Sequence, residues 1–178
     1  ARVMLSLAYG CGMRAGEVVR LKVGDIDSDQ KIIRIVQSKG RKDRNVMLPN
    51  DILGLLREWW TERPTGQDKG VPAPERVLFP GYRGKHLSAR QISRLFKETA
   101  REAGITKPVT LHTLRHSFAT HLLEHGVDIR VIQALLGHTK LTTTARYASV
   151  ATGMIAAVDS PLDDLNGAKP KKGKPKPS

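Results

Sequence analysis

A single cysteine among 178 residues excludes an internal disulfide, which fits a reducing compartment. Cys11 stands among small apolar neighbours and is expected to be a buried structural thiol rather than a reactive one. No run of roughly 18 apolar residues is present, so no transmembrane helix and no membrane partner are expected. The opening "ARVMLSLAYGCGMR" lacks the basic and cleavable parts of a secretory signal and starts directly on an apolar pattern, as a piece of a longer chain would. Internal repeats are absent too. Acidic residues are scarce: 17 Asp and Glu stand against 30 Lys and Arg, giving a formal charge of +13. That imbalance favours a polyanionic partner such as nucleic acid.

Five of the positive charges lie in "KPKKGKPKPS" at 169–178, which holds no acid, so eight remain on the rest of the chain. With nothing apolar to bury, this tail is expected to be disordered. The remainder has an ordinary soluble composition, 39% hydrophobic and 26% charged overall, and a length suited to one domain of roughly 100–200 residues.

Residues 1 to 9 place Val3, Met4, Leu7 and Ala8 at helical spacing. "YGCGM" breaks that pattern with two glycines before a second helix in "RAGEVVRL", with Arg14 at the break. "KIIRIVQ" from 31 to 37 reads as a strand, "SKGRKD" as a turn with a basic tip, and "RNVMLP" as the returning strand. A helix is expected over about 51–60, opened by "PND", then loop over 61–76 and a short extended "RVLFP". "SARQISRLFKETAREAG" reads as a helix capped by Ser88 and stopped at Gly104. "LHTLRHSFATHLLEHG" at 111–126, "DIRVIQALLG" and "LTTTARYASVATGMIAAV" give three more helical segments before "DSPLDDL". The expected fold is α+β, mainly helical with a small antiparallel β-sheet, with one domain over 1–165 and the basic tail over 166–178.

The histidine-rich segment carries the chemistry. On a helical wheel Leu111, Leu114, Phe118 and Leu122 form a stripe, Arg115 falls at its edge and His112 one position further round. A guanidinium drawn out of water there needs a carboxylate of the same domain or a phosphate from outside. Arg14 faces the same choice, and Glu17, three residues on, is a candidate internal partner. His112 and His116, and His121 and His125, are spaced i, i+4 and so could hold a metal on one face. The zinc-protease pattern, however, requires a glutamate after the first histidine, and Thr113 and Ser117 stand at those positions. No metal is therefore assigned.

The order "GMRAGEVVRL", "QSKGRKDR", "LHTLRHSFATHLLEHG", "LLGHTKLTTTARYASV" resembles the catalytic domain of the tyrosine recombinase, or phage integrase, family over about residues 1–165. The resemblance implies a catalytic set of Arg14, Lys39, His112, Arg115, His138 and Tyr147. Glu17 matches the acidic residue that supports the first arginine, while His116, His121 and His125 are expected to be structural.

By that resemblance Tyr147 attacks a DNA phosphodiester, forms a 3′ phosphotyrosine and releases a 5′ hydroxyl. A second 5′ hydroxyl reverses the step, and neither ATP nor a metal or other cofactor is needed. Lys39, or Lys42 beside it, would protonate the leaving alkoxide. Arg41, Lys42, Arg44, Arg90 and Arg94 are candidates for contacts to the DNA backbone. The resemblance also implies tetramers acting on paired sites of double-stranded DNA in the bacterial cytoplasm, and an N-terminal clamp domain that is expected to lie outside this chain, in which case a monomer is the expectation for the chain by itself. Residues 148–165 are expected to pack either on a neighbouring copy or on their own domain. Three other readings remain: relaxation of supercoils by a related type IB topoisomerase, a DNA-binding remnant without catalysis, and a metal-dependent nuclease.

Overall fold

The computed structural model describes residues 1–36, 43–81, 86–137 and 157–165. Helix α1 (Arg2–Gly10) lies at the centre, against α2 (Ala15–Arg20), α3 (Asn50–Glu62), α5 (Leu111–Glu124) and α7 (Pro161–Leu165). It suits that place because Met4, Leu7 and Ala8 bury one face while Val3 and Leu5 pack partly beside it. The two-glycine break after it is a real turn. Gly12 has φ +60, and a Cβ added there would lie 2.5 Å from the Phe118 ring, so both conformation and space demand glycine.

The sheet has three antiparallel strands in the order β1 (Ile26–Asp27), β2 (Ile32–Ile35), β3 (Arg44–Met47). The hairpin was legible, but the two-residue β1 was not, since "GDIDSDQ" carries turn residues rather than an apolar alternation. Pairing of Ile33 with Val46 and Ile35 with Arg44 sets these four residues on one face of the sheet. The expected loop after residue 60 also differs: α3 continues to Glu62, and Ala73–Glu75 forms one 3-10 turn.

Local signals explain the remaining helices. Ser88 caps α4 (Ala89–Glu102), accepting the Gln91 N–H at 3.2 Å, and Gly104 ends the segment at φ +72. Ile92, Phe96 and Ala100 form its buried stripe. Asp128 accepts the Arg130 N–H at 2.7 Å at the start of α6 (Ile129–Leu136), and Gly137 closes it in the left-handed conformation. Of the two expected placements for the C-terminal segment, Pro161–Leu165 packs on its own domain, against α1 and α5. Ser160 secures it, its hydroxyl donating to the Gly10 carbonyl at 2.7 Å and accepting the Leu162 N–H at 3.2 Å.

Cys11 is fully buried, and burial, followed by the nearby Asp163 charge, pushes its thiol well above the ordinary value, as expected of a structural cysteine. No helix among the described residues is long and apolar enough to cross a membrane.

The Gly12 turn yields a stability prediction. Gly12→Ala should cost at least ~2 kcal/mol, combining an unfavourable left-handed conformation with an overpacked Phe118 contact. Chemical denaturation is the check, and an unchanged midpoint would show that the turn relaxes.

Candidate active site

Arg115 belongs to the centre of the α5 stripe rather than its edge. Leu111, Arg115, Phe118 and Leu122 recur at intervals of four, three and four, and all are buried, whereas Leu114 is only half-buried. The arginine is 4% exposed. Its two terminal nitrogens donate to the carbonyls of Gly12, in the glycine turn, and Leu136, at the end of α6. Both of these acceptors are neutral, so neither supplies a counter-charge. Burial first, and then repulsion from Arg14 and Arg44, draw its pKa down to about 10 against the opposing pull of Glu17. It is still a cation at neutral pH.

Arg14 is the N-cap residue of α2, one-third exposed, with its guanidinium reaching Glu17 at 3.0 Å. Its backbone N–H also donates to Glu17, at 2.7 Å, so one carboxylate both caps the helix and holds the side chain. The internal partner expected for Arg14 is present.

Arg44 departs from expectation. It was anticipated at an exposed hairpin tip, tracking the DNA backbone; instead its side chain is 6% exposed and forks onto both Glu17 oxygens, at 2.7 and 2.8 Å. Its Nε–H donates to the Leu135 carbonyl at 2.7 Å. The physical reason is strand parity, which sets Arg44 on the same face as Val46, Ile33 and Ile35. A basic residue beside a basic turn looked solvated, but the period-two signal pointed inward.

Three guanidinium groups and one carboxylate thus meet where α2, β3, α5 and the end of α6 converge. Burial alone would raise the Glu17 pKa, but hydrogen bonds and charge from Arg44, with the backbone and side-chain bonds of Arg14, override it and hold the value at about 2. Preorganised positive charge with exposed access at Arg14 suits an anion whose charge grows during reaction.

His112 lies exposed in the first turn of α5, one turn before Arg115. His121 and His125 have structural partners: the Tyr9 hydroxyl meets His121 Nδ1 at 2.8 Å, and His125 Nδ1 meets the His121 carbonyl at 2.6 Å. His116 is exposed on the same helix. Arg90 and Arg94 are exposed on α4, Arg94 with a long 3.8 Å approach to Glu98, and α4 packs on α2. Lys39, Arg41, Lys42, His138 and Tyr147 lie outside the described residues, as do 148–156 and the basic tail.

Solved structures share this architecture. The crystal structure of XerA recombinase superposes with a TM-score of 0.67 at 33% identity, over 82% of this chain and 52% of that one. XerH recombinase bound to its difH substrate in a pre-cleavage complex gives 0.66 at 30% identity, over 82% and 41%. The fold is that of a tyrosine recombinase catalytic domain. A putative integrase/recombinase y4qK of Sinorhizobium fredii is 42% identical over 163 residues, which is 91% of this chain and 50% of the relative. Tyrosine recombinase XerD of Pseudomonas putida is 41% identical over 150 residues, 84% and 49%. The phage integrase family model matches residues 1–154, and the chain belongs to that family. It spans about half the length of these curated relatives.

The Glu17 environment predicts an acid limb of stability. A carboxyl whose folded pKa is about 2, below its ordinary 4.5, contributes stability that is full above the ordinary value and lost as pH falls through the folded one. The melting temperature should therefore decline between pH 5 and 2, and Glu17→Gln, less stable at pH 7, should decline less steeply; parallel profiles would remove Glu17 as the cause.

Proposed function

We propose that the chain is the catalytic domain of a site-specific DNA recombinase that cuts and rejoins strands through a 3′-phosphotyrosyl intermediate. The observation that carries this reading is the arginine centre: Arg115, buried with neutral partners, beside Arg14, one-third exposed and neutralised only in part by a carboxylate it shares with Arg44. Such a centre favours a phosphate. The family match extends to residue 154 and so includes Lys39, His138 and Tyr147.

Tyr147 is the nucleophile of this proposal. A phenol with a pKa near 10 is ionised to about one part in a thousand at neutral pH, so attack needs positive surroundings or a proton acceptor. His112, one helical turn from Arg115 on α5, assists at the same phosphate in this proposal. Arg14 and Arg115, with His138, bind the charge that develops on the non-bridging oxygens more strongly in the transition state than in the ground state. Lys39, in the sequence between β2 and β3, donates a proton to the departing 5′ oxygen, Lys42 being the other candidate. Glu17 orients Arg14 without touching DNA.

The 5′ hydroxyl of a second strand then attacks the phosphotyrosine, and the bond energy is conserved without ATP or a metal cofactor. Arg41, Lys42, Arg90 and Arg94 are assigned to the DNA backbone, with salt-sensitive affinity as their signature. The parent protein is expected to work in the bacterial cytoplasm as a homotetramer on two DNA sites, with the N-terminal clamp that its relatives' greater length allows. Integrases and recombinases among the relatives weigh against a relaxing topoisomerase.

Incubation with nicked DNA duplexes that trap cleavage, in chelator, should give an adduct that survives denaturing detergent. Tyr147→Phe should abolish the adduct while DNA affinity stays within a few fold; a large affinity loss would mark a structural tyrosine instead. Arg115→Ala should slow adduct formation at least ~100-fold, the scale for losing one preorganised charge-stabilising donor. A near-normal rate would remove Arg115 from the reaction.

A further inference from the structure

Arg44 makes three connections, two of them beyond its salt bridge. Its fork occupies both oxygens of Glu17, the carboxylate that caps α2 and holds Arg14. Its Nε–H meets the Leu135 carbonyl, whose neighbour, the Leu136 carbonyl, receives Arg115. Its aliphatic stem packs against Gly137, where an added Cβ would come within 2.9 Å of the Arg44 Cδ. Carbonyls in the last turn of a helix have no intrahelical donor and carry the negative end of the helix dipole, so two guanidinium groups are well matched to the end of α6.

We propose that Arg44 is a positioning residue for strand cleavage, holding Glu17 and the C-terminal end of α6 in one hydrogen-bonded frame so that Arg14 and Arg115 are presented together to a single phosphate. The inference rests on the recombinase reading above. Without Arg44, the Glu17 charge would fall more heavily on Arg14 and draw its fork away from the phosphate. The α6 terminus would also lose the donor that sets it against β3, and Arg115 would lose the fixed position of one of its two carbonyl acceptors. Lysine cannot replace this arrangement, because an ammonium has no planar fork to span a carboxylate and reach a carbonyl at once.

The test compares wild type, Arg44→Met, Arg44→Lys, Glu17→Gln and the Arg44→Met/Glu17→Gln pair. It measures single-turnover adduct formation on saturating nicked DNA, the DNA dissociation constant at several salt concentrations, and the melting temperature. Arg44→Met and Arg44→Lys should slow adduct formation by ~10- to 100-fold, the scale of a small misplacement of reacting groups. Affinity and its salt dependence should stay as in wild type. Adding Glu17→Gln to Arg44→Met should cost far less than Glu17→Gln does alone, because the two act through one frame.

A cleavage rate within about twofold of wild type in folded Arg44→Met would overturn the proposal, since a frame that fixes the reacting geometry cannot be that dispensable. So would weaker binding with a salt slope reduced by about one, the mark of a direct phosphate contact. If Arg44→Met does not fold, Arg44→Lys decides: a normal rate there overturns the role, a slow one upholds it. A wild-type chain that forms no adduct would instead overturn the recombinase reading, and the positioning role with it.

Discussion

A guanidinium at the centre of an apolar helical stripe is the constraint on which the middle of this domain depends. Arg115 sits between Leu111 and Phe118 on the buried face of α5, where a lost partner would leave a charge stranded out of water. Its partners come from far along the chain, the Gly12 carbonyl 103 residues away and the Leu136 carbonyl 21 residues away. The left-handed turn at Gly12 exposes one of these carbonyls and lets the backbone close on Phe118. The end of α6 offers the other. Two irregular points of backbone, each ended by a glycine with positive φ, therefore carry the polar requirements of one side chain.

The same economy governs charge. Three arginines within mutual influence would repel one another, and Glu17 offsets part of that repulsion while leaving the centre positive. Carbonyl dipoles supply the rest without cancelling the charge. On the proposed reaction this balance is functional: complete neutralisation would favour stability over phosphate binding, and no neutralisation would make the centre too costly to fold.

The helices were legible because their start and stop signals are local. Ser88 with Gln91, Asp128 before α6, and Gly104 and Gly137 at the ends each act within one turn of chain. The pairing of Arg14 with Glu17 was legible for the same reason, at a spacing of three. Arg44 was not, since its acceptors lie 27 and 91 residues away and its basic neighbours mask the strand parity that turns it inward. Arg115 was seen as less buried than it is, because Leu114 drew the stripe to the wrong side. The two-residue strand β1 carries too little sequence to show a period at all.

The lone, fully buried thiol of Cys11 has a use of its own. It lies beside the glycine turn that serves Arg115 and close to the Asp163 charge on α7. A thiol reagent can reach it only when α1, the turn or α7 opens, so the alkylation rate counts those openings rather than surface exposure. The protein thus contains a built-in clock for the breathing of the floor beneath its arginine centre, readable without adding a probe.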